Sequence, residues 1–110
     1  MNSTKPAASR KRAALPHATD YTREFLKDWQ RLTHSGRYDM NCLKEAMALL
    51  ASNSGPMAPQ WLDHALAGDW AGHRECHAGG DFLLIYRLEN LSRHGLLIFV
   101  RAGTHADLFA

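Results

Sequence analysis

Seven histidines stand in a chain of 110 residues, and four of them (His64, His73, His77 and His105) lie in the C-terminal half close to acidic and aromatic residues. Three local groups concentrate the reactive side chains. The first is Asp63-His64. The second is Arg74-Glu75-Cys76-His77, followed across Gly79-Gly80 by Asp81-Phe82. The third is Arg101-Ala102-Gly103-Thr104-His105 with Phe109. Histidine, with an unperturbed pKa of ~6.5, both takes and gives a proton near neutrality. Several of them beside a cation and aromatic rings suit a substrate that carries its own nucleophile, as RNA does in its 2′-hydroxyl. Cleavage without a metal then needs a base for that hydroxyl, an acid for the 5′-oxygen and a cation for the crowded phosphorane. Each proton-transfer role is worth roughly 10²–10⁴ in rate, and a positioned cation adds a comparable factor. Phe82 and Phe109 could stack splayed bases.

Plainer readings stand beside this one. A histidine is more often a surface or satisfied core residue, and His17, His34 and His94 fit that description. His73 and His77 are four apart on an expected strand and share a face, so a third histidine could complete a zinc or nickel site. No ligand spacing is typical of such a site and the thiols are not paired, so no metal or other cofactor is expected. Arg74 and His77 are three apart, which sends them to opposite faces of a regular strand. Arg74 then reads as an ion-pair partner of Asp69 or Glu75, or as a substrate contact if a bulge realigns it. Arg101 is the better phosphate cation.

The elements that must position these residues change character midway. Segment 21–34 is helical, with Phe25, Trp29 and Leu32 on one stripe, a cap at Thr22 or Asp20, and Gly36 after its end. Segment 40–52 is a second helix, capped by Asp39, with Leu43, Ala46, Met47 and Leu50 as its apolar face. The short link predicts a helical hairpin. Residues 53–69 read as a long loop. Three strands follow, at 70–78, 81–89 and 94–101, joined by a Gly79-Gly80 turn and by residues 90–93. Such short links force antiparallel pairing. The apolar character of both faces of the last two strands places them centrally. Residues 14–19 could add a first strand. The expected fold is α+β, a two-helix N-terminal hairpin packed on a small antiparallel sheet.

Length and charge narrow the classes further. One small domain of this size buries roughly two-thirds of its unfolded surface, and no apolar run approaches the ~20 residues of a spanning helix. Residues 1–16 carry Lys5, Arg10, Lys11 and Arg12 and no acid. They read as a flexible basic tail, a solvated extension or an arm that touches RNA. Residues 17–110 form the expected domain, with nine Lys/Arg against eleven Asp/Glu, a net of −2. That balance does not predict a general grip on nucleic acid. Two cysteines without a secretory signal point to the cytoplasm, with both thiols reduced.

The stretch from Asp63 to Phe109 resembles the YafQ branch of the RelE/ParE superfamily of bacterial toxins. The resemblance is carried by Asp63-His64-x-Leu66-x-Gly68-x-Trp70, Gly72-x-Arg74-Glu75-x-His77, Asp81-Phe82-Leu83-Leu84-Ile85-Tyr86 and Arg101-x-Gly103-Thr104-His105-x-x-Leu108-Phe109. The N-terminal part fits more loosely, through Tyr21, Phe25 and the Leu43–Leu50 helix. It implies a type II toxin with a RelE-like fold, a metal-independent endoribonuclease that cuts mRNA in the ribosomal A site. His64, His77, Asp81 and His105 are then catalytic candidates, and Phe82, Arg101, Phe109 and Arg74 substrate-binding ones. It also implies a RelB/DinJ-type antitoxin as partner, with the toxin monomeric when free and hetero-oligomeric when neutralised. The ParE side of the superfamily supplies the alternative, a non-nuclease toxin or an inactive antitoxin-binding relative.

Overall fold

The structure, a computed structural model, describes residues 16–91 and 94–109. Strand β1 (Ala18–Tyr21) leads into helices α1 (Arg23–Ser35) and α2 (Met40–Ser52). A two-residue strand β2 (His64–Ala65) is flanked by single 3₁₀ turns at Pro59–Trp61 and Gly68–Trp70. Strands β3 (Arg74–Gly79), β4 (Phe82–Leu91) and β5 (His94–Gly103) and the short helix α3 (His105–Phe109) complete the order. The sheet runs β1-β5-β4-β3-β2. Its β2-to-β5 neighbours pair antiparallel, and β1 joins β5 in parallel. The expected first strand therefore exists, shifted to Ala18–Tyr21, and the sheet is mixed at that edge. Parallel pairing is open to it because the rest of the chain forms the crossover.

Both main helices begin where local chemistry starts them. Thr22 Oγ1 accepts from the Phe25 amide at 3.0 Å and donates to the Val100 carbonyl at 2.7 Å, so one hydroxyl caps α1 and ties it to β5. Asp39 accepts from the Asn41 amide at 3.0 Å and caps α2. Gly36 ends α1 in the left-handed conformation, φ 69°.

The sheet buries both faces. Phe25, Leu32, Leu43 and Ala46 of the helices pack with Cys76, Leu84, Tyr86, Leu97 and Phe99. On the other face Leu83, Ile85, Ile98 and Val100 are covered by Leu108 of α3 and by Leu66 and Trp70. Strands β4 and β5 serve both clusters, which is why neither alternates with polar residues.

Two local expectations are corrected. The strand expected at 70–78 begins only at Arg74, because Gly68 (φ 64°) and Gly72 (φ 86°) turn the chain first. The stretch 53–69 is not all loop, since it contributes β2 at the sheet edge. The β4–β5 ladder extends to Leu91 opposite His94, so the connection narrows to residues 92–93, which lie outside the described residues. The basic tail is also outside them, apart from Pro16.

Candidate active site

The histidines gather on the sheet face away from α1 and α2. His64 of β2 pairs directly with Glu75 of β3. His77 lies two residues further along β3, so period-2 alternation gives it the same face as Glu75. Their partners on β4, Leu83 and Ile85, belong to the cluster under α3. Asp81 follows the β3–β4 turn, and His105 opens α3. The ring centroids of His64 and His77 are 6.3 Å apart, those of His77 and His105 6.1 Å, and those of His105 and Phe109 5.8 Å. His64, His77, Asp81, His105 and Phe109 thus converge from four separate segments.

All three imidazoles are anchored through Nδ1. His64 Nδ1 lies 2.7 Å from the Leu62 carbonyl and His77 Nδ1 2.9 Å from the Gly80 carbonyl. A carbonyl oxygen only accepts, so both Nδ1 atoms carry the hydrogen. Leu62 holds a left-handed φ of 50°, unusual for a branched side chain, and this turn aims its carbonyl at His64. His105 Nδ1 makes a short contact with Asp81 Oδ1, which also accepts from the His105 amide at 3.1 Å. The imidazole beside it, more than any other group, holds the Asp81 carboxyl below its ordinary pKa. Asp81 is therefore an ionised acceptor at neutral pH, and His105 carries its hydrogen on Nδ1 as well. Each ring is left with Nε2 for chemistry.

Helix α3 is short and has to be held. Thr104 Oγ1 accepts from the Asp107 amide at 3.1 Å, and Asp107 Oδ2 accepts from the Thr104 amide at 3.0 Å, a reciprocal cap. Gly103 makes room for it. At its φ of 155° an added Cβ would sit 2.9 Å from Asp107 Oδ2. The Gly103-Thr104 pair thus sets the position of His105.

Two expected site residues are placed elsewhere, and a third is held by a carboxylate of α1. Phe82 is buried in the helix-side core with its ring 5.1 Å from Tyr38, so it is no base platform. Leu83 shares the face of His77, and alternation turns the residue before it inward. Arg74 is corrected likewise. It lies opposite Tyr86, a helix-side residue, and its Nε is 3.3 Å from Asp63, not paired with Asp69 or Glu75. The Tyr86 hydroxyl donates to the same carboxylate at 2.6 Å, and burial first, then this carboxylate, push the phenol's pKa up. Arg101 is tied to Asp28 of α1 through Nε at 2.7 Å and Nη2 at 3.1 Å.

Sequence reasoning left three further residues out of the site. Asp28 is buried and holds Arg101, 73 residues away. Glu75 is buried between His64 and His77, and its spacing of two from His77 carried that signal. Trp70 sets its ring 6.0 Å from Phe109 and 5.2 Å from His73. The thiols offer no nucleophile, since burial pushes Cys76 up to about 12 and the Asp39 hydrogen bond raises Cys42. Among the described residues no three His, Cys, Asp or Glu side chains are grouped to hold a metal ion.

A family model described as the bacterial toxin of type II toxin–antitoxin system, YafQ, matches residues 17–110. The mRNA interferase toxin YafQ of Escherichia coli K12 is 41% identical over 90 residues, 82% of this chain and 92% of that protein. The putative toxin YafQ of Haemophilus influenzae is 32% identical over 96 residues, 84% of this chain and 91% of that one. The crystal structure of the E. coli DinJ–YafQ toxin–antitoxin complex superposes with a TM-score of 0.73 at 38% identity, covering 87% of this chain and 100% of that chain.

Proposed function

The chain belongs to the YafQ family of type II toxin–antitoxin toxins, and from that premise we propose that it is an mRNA interferase that cleaves ribosome-bound mRNA by histidine acid–base chemistry. The observation that carries this reading is the shared arrangement of His64, His77 and His105, each with Nδ1 anchored and Nε2 available. The anchors fix ring orientation before substrate arrives, as preorganised catalysis requires.

The reaction is an in-line transesterification. One Nε2 takes the 2′-hydroxyl proton as the 2′-oxygen bonds to phosphorus. A second Nε2 gives its proton to the 5′-oxygen as the P–O5′ bond breaks. A 2′,3′-cyclic phosphate and a 5′-hydroxyl end result. His77 and His105, with rings 6.1 Å apart, flank the space for the phosphate. Asp81 keeps His105 in its Nδ1–H form and stabilises the imidazolium when it forms. Arg101, held by Asp28, supplies the fixed positive charge beside the phosphate. Phe109, exposed and next to His105, is the base platform, and Trp70 backs it.

The wider reading has three parts. The A site of the ribosome presents the mRNA, and residues 1–16 form a basic arm that supplies the charge absent from 17–110. The partner is a DinJ-type antitoxin, which meets the apolar groove of about 250 Å³ where exposed Tyr21 and Leu26 flank Phe25, Trp29 and Met47. The toxin is monomeric when freed and acts in the cytoplasm; no described helix is long and apolar enough to cross a membrane.

Primer extension on a defined mRNA in a translating extract tests the reading, with wild type and His105→Ala side by side. Codon-phased cuts that vanish in the variant are expected. An intact wild type that cuts nothing would overturn it.

A further inference from the structure

Glu75 is the one acidic group of the histidine face that the mechanism above does not use. Its side chain is 4% exposed and lies between two imidazoles. His64 Nε2 is 3.3 Å and His77 Nε2 3.6 Å from the same oxygen, Oε2. The other oxygen, Oε1, is buried and has no hydrogen-bond partner among the described residues.

Counting hydrogens exposes a conflict. Both Nδ1 atoms carry hydrogen, because each faces a backbone carbonyl. In a neutral imidazole the remaining nitrogen is then an acceptor, and an ionised carboxylate is an acceptor only. Two neutral rings around an ionised Glu75 would set three lone-pair atoms against one another around a carboxylate that is itself buried. No arginine or lysine among the described residues relieves them. Among the described residues the ion partners of Glu75 are the two imidazoles, Arg74 being bound to Asp63 on the opposite face. From β4 the residue opposite Glu75 is Ile85. The next titratable groups, Asp81 and His105, engage each other beyond His77.

We propose that Glu75 joins His64 and His77 into one unit that holds at least one proton beyond the two on Nδ1, and that it relays this proton between the rings. With one proton the unit is an imidazolium paired to a carboxylate. This avoids an isolated buried charge, which is costly. The unpartnered Oε1 fits the same account, since a carboxyl that shares a proton loses less by leaving one oxygen bare. The contacts of 3.3 and 3.6 Å are longer than a locked charged hydrogen bond, so Nε2 is not sealed off from substrate by Glu75.

Exposure gives the relay its direction. His77 is 19% exposed and next to His105, whereas His64 is 50% exposed. His77 therefore exchanges its proton with the RNA, and His64 exchanges with solvent. When His77 gives a proton, its Nε2–H bond breaks as O5′–H forms. His64 Nε2 then takes a proton from water, and Glu75 Oε2 passes it on to His77 Nε2. When His77 takes the 2′-hydroxyl proton, the same steps run in reverse. Glu75 touches no reacting atom and is a positioning residue.

The role rests on the nuclease reading, whereas the proton count does not, and the two are tested separately. Nitrogen NMR of histidine-labelled toxin, free of RNA at neutral pH, should show Nδ1–H on His64 and His77 and one further proton on their Nε2 atoms. In Glu75→Gln the amide donates instead, and that proton should be lost while the amide spectrum stays folded. Two neutral Nδ1–H rings in the wild type would overturn the proposal. In single-turnover cleavage, Glu75→Gln should lose on the order of 10²-fold in rate, the lower end for a proton-transfer role. KM should hold, Glu75→Asp should recover part of the rate, and added imidazole buffer should recover more. A rate that buffer does not move would reduce Glu75 to a structural residue and reject the relay. A wild type with the extra proton but no cleavage would leave the proton unit standing and sink the nuclease reading.

Discussion

Two carboxylates are almost fully withdrawn from water, Asp28 at 4% exposure and Glu75 at 3%, and they are treated in opposite ways. Asp28 is saturated. It accepts from Arg101 Nε and Nη2, from the Ala102 amide at 3.0 Å and from Arg31 at 3.4 Å. Its partners carry permanent charge or are backbone. Glu75 faces only groups that gain and lose protons, at longer distances, with one oxygen bare. Burial alone therefore does not say what a carboxylate is for. A buried acid whose partners cannot titrate is a structural tie; one whose partners all titrate is a place to keep a proton.

The sharpest test of this contrast is Asp28→Ala. It strands the Arg101 guanidinium and the Ala102 amide in a half-buried site. Breaking one side of such a buried pair costs about 3–5 kcal/mol, and thermal or urea unfolding would measure it. Glu75→Leu should differ in kind. Replacing a poorly satisfied buried acid by an apolar residue is near neutral for stability, so its unfolding midpoint should stay close to wild type while cleavage falls. Equal destabilisation by the two variants would erase the distinction.

Asp81→Asn comes next. Asp81 is exposed and its work is on His105, so the loss belongs to catalysis rather than folding. An amide in its place no longer requires Nδ1–H on His105. We expect a loss of roughly 10²-fold or more in cleavage, within the range for general acid–base roles, with an unfolding midpoint only slightly lowered at neutral pH. A smaller effect comes from Thr104→Ala, which removes the cap of α3 at a cost of about 1 kcal/mol. It loosens the helix that carries His105 and Phe109, so it should lower stability and cleavage together, by far less than Asp28→Ala lowers the first or Asp81→Asn the second.

The same contrast explains what could be read in advance. The helix boundaries follow from residues within a turn of one another, so Thr22, Asp39 and Gly36 announce them. The order of β3, β4 and β5 follows from two short links. His64, His77, Asp81, His105 and Phe109 were legible through motif resemblance, and the structure brings them together. Arg101–Asp28 was not legible, because its partners are 73 residues apart and nothing local joins them. Nor was the parallel partner of β1. Phe82 and Arg74 are different. Period-2 alternation from Leu83 and His77 sends both to the helix side; the rule was applied to Arg74, whose ion-pair partner was misassigned, whereas the appeal of an aromatic near the site masked it for Phe82. Glu75 was masked in the same way, as a partner for its neighbour Arg74, although strand geometry pairs it with His77.

The smallest expected effect is on acid stability. Asp81 and Asp107 both have pKa values held below the ordinary carboxylate range, Asp81 first by its bond from His105 and Asp107 first by the Thr104 amide. A carboxylate with a depressed folded-state pKa contributes stability that is fully present above its unfolded value, ~3.9 for Asp. That contribution is lost as pH falls through the folded value, because protonation there is resisted by the native state alone. Both side chains are solvent-accessible, so screening keeps each contribution small. Unfolding midpoints should therefore hold from neutrality down to about pH 4 as far as these two groups are concerned, then fall, with Asp81→Asn removing part of the slope. Arg101–Asp28 sharpens the point from the other side. Its buried carboxylate is held by four donors, so Asp28→Asn should lower the midpoint at neutral pH, where Asp81→Asn leaves it nearly unchanged. A variant pair that moved the acid limb and the neutral midpoint equally would show that exposure, and not the identity of the partners, separates the two kinds of carboxylate.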